Sequence, residues 1–225
     1  MSTQKSTKEK IKFLLRTNKF LIVLIITVLI GLGIIGQLGF FIAIALMLTV
    51  HLLRKTNLSE LGLCKPKSWT KILFLSLTLT IIILGIFNYL LNPLLFELFP
   101  PESKDLSRYD ALRGNIPMLL IALMISWITA AFAEEIIWRG YILKNIAKLL
   151  GDKNYSWIIS LIITSSLFGL LHFVQGPIGI IQTGIVGLIF GLIFIVNGKN
   201  NLWMNILIHG IIDTISMIAI YFGMV

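Results

Sequence analysis

Seven apolar stretches, each at or near the length needed to cross a lipid bilayer as a helix, succeed one another along the 225-residue chain. Crossing a hydrocarbon core of about 30 Å takes roughly 17–25 helical residues. Inside lipid, only helices and closed barrels satisfy every backbone N–H and C=O. The stretch 20–53 is too long for one span and is interrupted by Gly31, Gly33, Gly36, Gln37 and Gly39, so it reads as two short helices divided near Gln37. Further spans run about 72–91, 117–137, 157–173, 178–196 and 202–221. The expected fold is all-α, a polytopic transmembrane helical bundle of about seven spans. The composition, 57% hydrophobic and 13% charged, stands far from soluble domains with about 45–50% apolar and roughly 25% charged residues. It also excludes disordered, disulfide-stapled and collagen-like chains.

The net charge of +9 would suggest a nucleic-acid partner in a soluble chain. In a membrane chain it speaks of orientation and anionic headgroups. All but three of the 19 Lys and Arg fall in the tail 1–19, in 54–71, in 138–155 and at Lys199; the exceptions, Lys104, Arg108 and Arg113, lie in the loop 92–115. The positive-inside rule then puts the N-terminus in the cytoplasm and the loop outside. No small-residue cleavage site follows the basic tail, so it reads as a mature cytoplasmic segment rather than a signal peptide. The organisation expected is a basic tail over 1–19, N-terminal transmembrane helices and an outward loop over 20–115, and a chemically richer part over 116–225. The stretch 141–150, with Lys144 and Lys148 one turn apart, fits a helix along the inner membrane surface or a continuation of the preceding span. The single cysteine, Cys64, closes no internal disulfide.

An ionisable residue in the middle of a span costs about 2.5–3.5 kcal/mol on insertion scales and so needs a partner or a purpose. From residue 117 onward such residues are Glu134, Glu135, His172, His209 and Asp213, with Arg139 just beyond a span. Glu135 and Arg139 stand at i and i+4, where a carboxylate reaches a guanidinium. Glu134, one residue round the helix, lacks that partner, and a carboxylate facing a bundle interior can serve as a general base near neutral pH. Packing pairs would place the same residues there. Phe168 and His172 share a helix face, and Asp213, one turn from His209, could orient that imidazole. Glu, His and Asp together suit a metal site or a metal-free hydrolytic site. No phosphate loop, Cys/His ladder or G-x-S-x-G elbow competes, and the small residues Gly184, Gly187 and Gly191 fit close helix packing. His51, at a span end beside Arg54 and Lys55, reads as interfacial.

Three motifs in order, Glu134-Glu135-x-x-x-Arg139, Phe168-x-x-x-His172 and His209-x-x-x-Asp213, resemble the CPBP intramembrane proteases, also called the CAAX protease and bacteriocin-processing (Abi) family. The resemblance covers about 115–220 and makes 116–225 a CPBP protease-like core. It implies an intramembrane endopeptidase, a hydrolase of peptide bonds in peptide or protein substrates, working in peptide maturation, bacteriocin processing or self-immunity in a bacterial cell membrane. Carried onto these positions, Glu134 and His172 activate water, while His209 and Asp213 stabilise the oxyanion; Glu135, Arg139 and Phe168 support them. The family's third motif often ends in Asn, and an ionised Asp213 cannot donate a hydrogen bond, so Asp213 acts protonated or through His209 or a metal. A metalloprotease mechanism and a metal-free one both fit. A divalent ion such as zinc would take Glu134, His172 and His209 as ligands. The alternatives are a non-catalytic membrane immunity factor or scaffold that keeps the polar cluster for packing, and a proton-coupled transporter. Residues 1–91 add only a polytopic context. By helix rise, Glu134 and His172 meet only if the first helix runs well past Arg139 and the second ends early, which the Gly176-Pro177 break permits.

Overall fold

The computed structural model describes residues 7–55, 57–99 and 107–224. Residues 1–6 of the basic tail and 100–106 of the expected outward loop lie outside them. Eight helices carry the fold among the described residues. Helix α1 (Thr7–Thr17) meets α2 (Lys19–Ile34) at an angle of 74°, and between them the Asn18 side chain caps α2 by accepting from the Leu21 amide at 3.1 Å. Helix α3 (Gln37–Arg54) returns antiparallel after Gly36, whose φ of 79° and ψ of −148° only glycine adopts without strain. Helix α4 (Trp69–Leu98) is started by the Ser68 side chain. Helix α5 (Ile116–Leu149) is started by Asn115, with Pro117 in its first turn. Helices α6 (Asn154–Leu170) and α7 (Gly176–Val196) form a hairpin through a short 3₁₀ turn at Phe173–Gln175, and α8 (Trp203–Tyr221) closes the bundle.

All seven expected stretches are helical, but fewer than seven qualify as spans by themselves. Among the described residues, four segments are long and apolar enough: Trp69–Leu98, Ile116–Leu149, Phe173–Val196 and Trp203–Tyr221. The bent pair α1 and α2 would make a fifth. Leu38–Arg54 and Asn154–Leu170 are apolar but shorter; 17 residues at about 1.5 Å each reach only about 26 Å. The outer surface is that of a membrane protein, with Phe20, Ile81 and Leu120 each more than 60% exposed, a density of bare apolar side chains that a monomeric soluble chain does not carry.

Helix α5 departs most from expectation. It runs ten residues past Arg139, so 141–149 continue the helix rather than forming a separate surface segment. Lys144 is buried and donates to the Glu60 carbonyl at 2.8 Å. Over Trp127–Glu134 and Ile136–Leu143 the helix is wound as a π-helix, the wider i to i+5 turn that recurs at functional sites. Helix α6, in contrast, stops at Leu170, and the two conditions for Glu134 and His172 to meet are both fulfilled.

Helices α6 and α7 cross closely because glycines face one another: a Cβ on Gly169 would lie 2.5 Å from the Ile180 carbonyl oxygen and 3.0 Å from Gly184 Cα, and Gly187 lies against Ser165. The basic segments gather at one end of the bundle. There Leu202 N–H donates to Gly62 at 2.7 Å, Leu63 bridges Asn201, Arg16 pairs with Glu60 at 3.1 Å and Lys199 sits over Trp157. At the other end Gly114 N–H donates to Tyr221 at 3.2 Å, tying the start of α5, beside Arg113, to the end of α8.

Candidate active site

Glu134 and Glu135 leave α5 in different directions and enter different surroundings. Glu135 is fully buried, and its Oε1 accepts from Arg139 Nη1 at 2.8 Å and from His209 Nδ1 at 3.1 Å. Arg139, 3% exposed, also donates to the Gly187 carbonyl at 3.4 Å. Its guanidinium stacks between Phe168, 4.9 Å to the ring centre, and Phe190, 5.3 Å, an arrangement that suits a weakly hydrated planar cation. The helical pair inferred from spacing therefore forms, and it recruits His209 from α8 as a third member. The other carboxylate oxygen, Oε2, is buried without a hydrogen-bond partner.

Asp213 is not the residue that orients His209. Its Oδ2 lies 4.0 Å from His209 Nε2, beyond hydrogen-bond reach, and accepts instead from Ser126 Oγ at 2.6 Å across the α5–α8 contact. One-turn spacing brings the two groups near, but the hydroxyl on α5 claims the carboxylate and Glu135 claims the imidazole. Ser126, buried at the start of the π-helical stretch, escaped the sequence reading; its only signal was a polar residue within an apolar run.

His172 follows the last turn of α6. Its ring packs edge-on to Phe168 at 4.8 Å, and its Nδ1 lies 2.7 Å from the Phe168 carbonyl oxygen. A carbonyl only accepts, so Nδ1 carries the hydrogen and the neutral ring keeps its lone pair on Nε2. Glu134 and His172 both line a cavity of about 270 Å³, together with Thr129, Trp138 and Phe168. One part of its wall was not foreseen: Leu29, Gly33, Gly36, Phe40 and Ala43 come from α2, α3 and the turn between them. Residues 1–91 are thus more than a polytopic context. Leu15, Ile22, Ile26 and Val50 share one core with Ile137, Trp138, Tyr141 and Phe168, which presses the N-terminal hairpin onto the site.

Glu134 and His172 line the cavity, while Glu135, Arg139 and His209 form a buried hydrogen-bonded cluster, with Asp213 beside it on Ser126. Among the described residues no group of three or more His, Cys, Asp or Glu side chains is placed to hold a metal ion. His209 Nδ1 is engaged by Glu135 and His172 Nδ1 by the backbone. The arrangement suits activation of a water by a carboxylate and a neutral imidazole.

Residues 116–215 match the family model described as Rce1-like, type II CAAX prenyl endopeptidase. That segment runs from the start of α5 through most of α8 and contains all three motifs. Residues 2–95 match the model of the tripartite tricarboxylate transporter TctB family. No curated protein and no solved structure matches the chain.

Proposed function

From the Rce1-like CAAX endopeptidase domain that residues 116–215 form, we infer that the protein is an intramembrane endopeptidase whose water-activating pair is Glu134 and His172. The observation that carries this reading is their common cavity, with His172 held in the tautomer that leaves Nε2 as acceptor. A water between the carboxylate and Nε2 loses a proton as its oxygen adds to the scissile carbonyl. The tetrahedral intermediate then collapses with cleavage of the C–N bond, and the proton passes to the departing amine. Positioned acid–base groups of this kind contribute about 10²–10⁴-fold each. We assign to His209, braced by Glu135, the stabilisation of the charge that develops on the carbonyl oxygen. Asp213, held by Ser126, does not act on the oxyanion, because an ionised carboxylate donates nothing. The substrates are membrane-associated peptides or proteins, with prenylated CAAX termini as the first class to try and small secreted peptides, bacteriocins included, as the second.

The test is cleavage of an internally quenched farnesylated CAAX peptide by the purified protein in proteoliposomes. Glu134→Ala and His172→Ala should each lower kcat at least about 10²-fold with thermal unfolding unchanged; wild-type rates in both variants would overturn the assignment. Chelation in the same assay reads metal dependence separately. A scaffold or immunity factor would keep its cellular phenotype in both variants. The TctB-like match favours a transport reading for α1 to α4, which would show as tricarboxylate uptake, but those helices carry none of the motif residues.

A further inference from the structure

We propose that the α2–α3 hairpin, outside the endopeptidase domain, is the specificity wall of the cavity, and that its apolar face receives one apolar side chain of the peptide substrate. The proposal rests on Glu134 and His172 being the catalytic pair. The cavity has two chemically distinct walls. The endopeptidase domain contributes the ionisable groups Glu134 and His172 and the hydroxyl of Thr129; the hairpin contributes Leu29, Gly33, Gly36, Phe40 and Ala43, without one charged side chain. About 270 Å³ falls below the roughly 300–1,000 Å³ of sites that enclose a whole ligand. It suits one side chain and the attacking water of an extended peptide.

The hairpin is a fixed surface. Leu29 and Ala43 are 3% and 2% exposed and belong to the core shared with α5, and the turn is set by Gly36. At Gly33 the hairpin packs against the other wall: a Cβ there would come within 2.7 Å of Leu171 Cδ1, the tip of the side chain preceding His172. A larger residue at 33 therefore pushes the Leu171 side chain, next to the catalytic imidazole, out of its place and narrows the cavity. Phe40 bounds the same space from α3.

The experiment uses full-length protein and internally quenched farnesylated peptides that differ only in leucine, alanine or tryptophan next to the scissile bond. Gly33→Leu should lower kcat/KM for the leucine peptide about 10–100-fold while the alanine peptide stays within about threefold. Gly33→Ala, the variant least disturbing to folding, should shift the ratio in the same direction by less, and Phe40→Ala should raise the relative rate of the tryptophan peptide. Equal changes for all peptides, or none, while Glu134→Ala abolishes every cleavage, would overturn the proposal alone. Unimpaired cleavage by Glu134→Ala would overturn the endopeptidase reading and the proposal with it.

Discussion

Replacing Arg139 by alanine should destabilise the protein more than any other single polar change in the bundle. Arg139 Nη1 and Glu135 Oε1 are 2.8 Å apart, with side chains 3% and 0% exposed. At an effective dielectric of about 20, two unit charges at that distance attract by about 6 kcal/mol. Desolvation offsets much of this in the intact pair, but removing one partner leaves the other buried and uncompensated, at a cost of about 3–5 kcal/mol. Glu135 is ill placed to absorb the loss, because Oε2 already lacks a partner and His209 alone would remain on Oε1. The loss also empties the slot between the Phe168 and Phe190 rings. For a chain of this size, about 3–5 kcal/mol corresponds to a fall in Tm of about 6–20 °C, measurable by circular dichroism in detergent micelles. Arg139→Lys keeps a charge but not the planar fork and should fall in between. The double substitution Glu135→Gln with Arg139→Gln, which removes both charges, should lie closer to wild type than Arg139→Ala. A cost below about 1 kcal/mol for Arg139→Ala, or a double variant no better than the single one, would refute the uncompensated-charge argument.

Two further outcomes can be read by the same melts. Gly169→Ala places a Cβ against the Ile180 carbonyl oxygen and Gly184 Cα and should cost about 1–3 kcal/mol through overpacking, whereas Gly31→Ala, with nothing within 4 Å, should be neutral or gain up to about 1 kcal/mol from helix propensity. Ser126→Ala deprives Asp213 of its 2.6 Å donor and should cost about 1–3 kcal/mol, with Ser126→Thr recovering most of it if the hydroxyl is what matters.

What is legible in the sequence is local. Runs of apolar residues identify helices because a helix satisfies its own backbone, and the Glu135–Arg139 pair follows from a spacing within one element. The glycines at 184, 187 and 191 were placed in close packing for the same reason, and Gly187 does lie against α6. The partner of His209 and the donor to Asp213 come from other helices, so no spacing predicts them; the one-turn rule even points to the wrong pair. The π-helical winding around Glu134 has no residue signature, and the cavity wall from α2 and α3 depends on how two hairpins dock. The count of about seven spans is not reached by length and composition, because α5 absorbs residues beyond its span while α3 and α6 are shorter.

The borrowed wall of the cavity bears on how this protein could be dissected. Severed before residue 116, the remaining helices would turn Ile137, Trp138, Phe168 and Leu171 toward bulk lipid, and an acyl tail would lodge in the opened cavity. A truncated protein could thus keep every motif and still be poisoned by the solvent it is dissolved in.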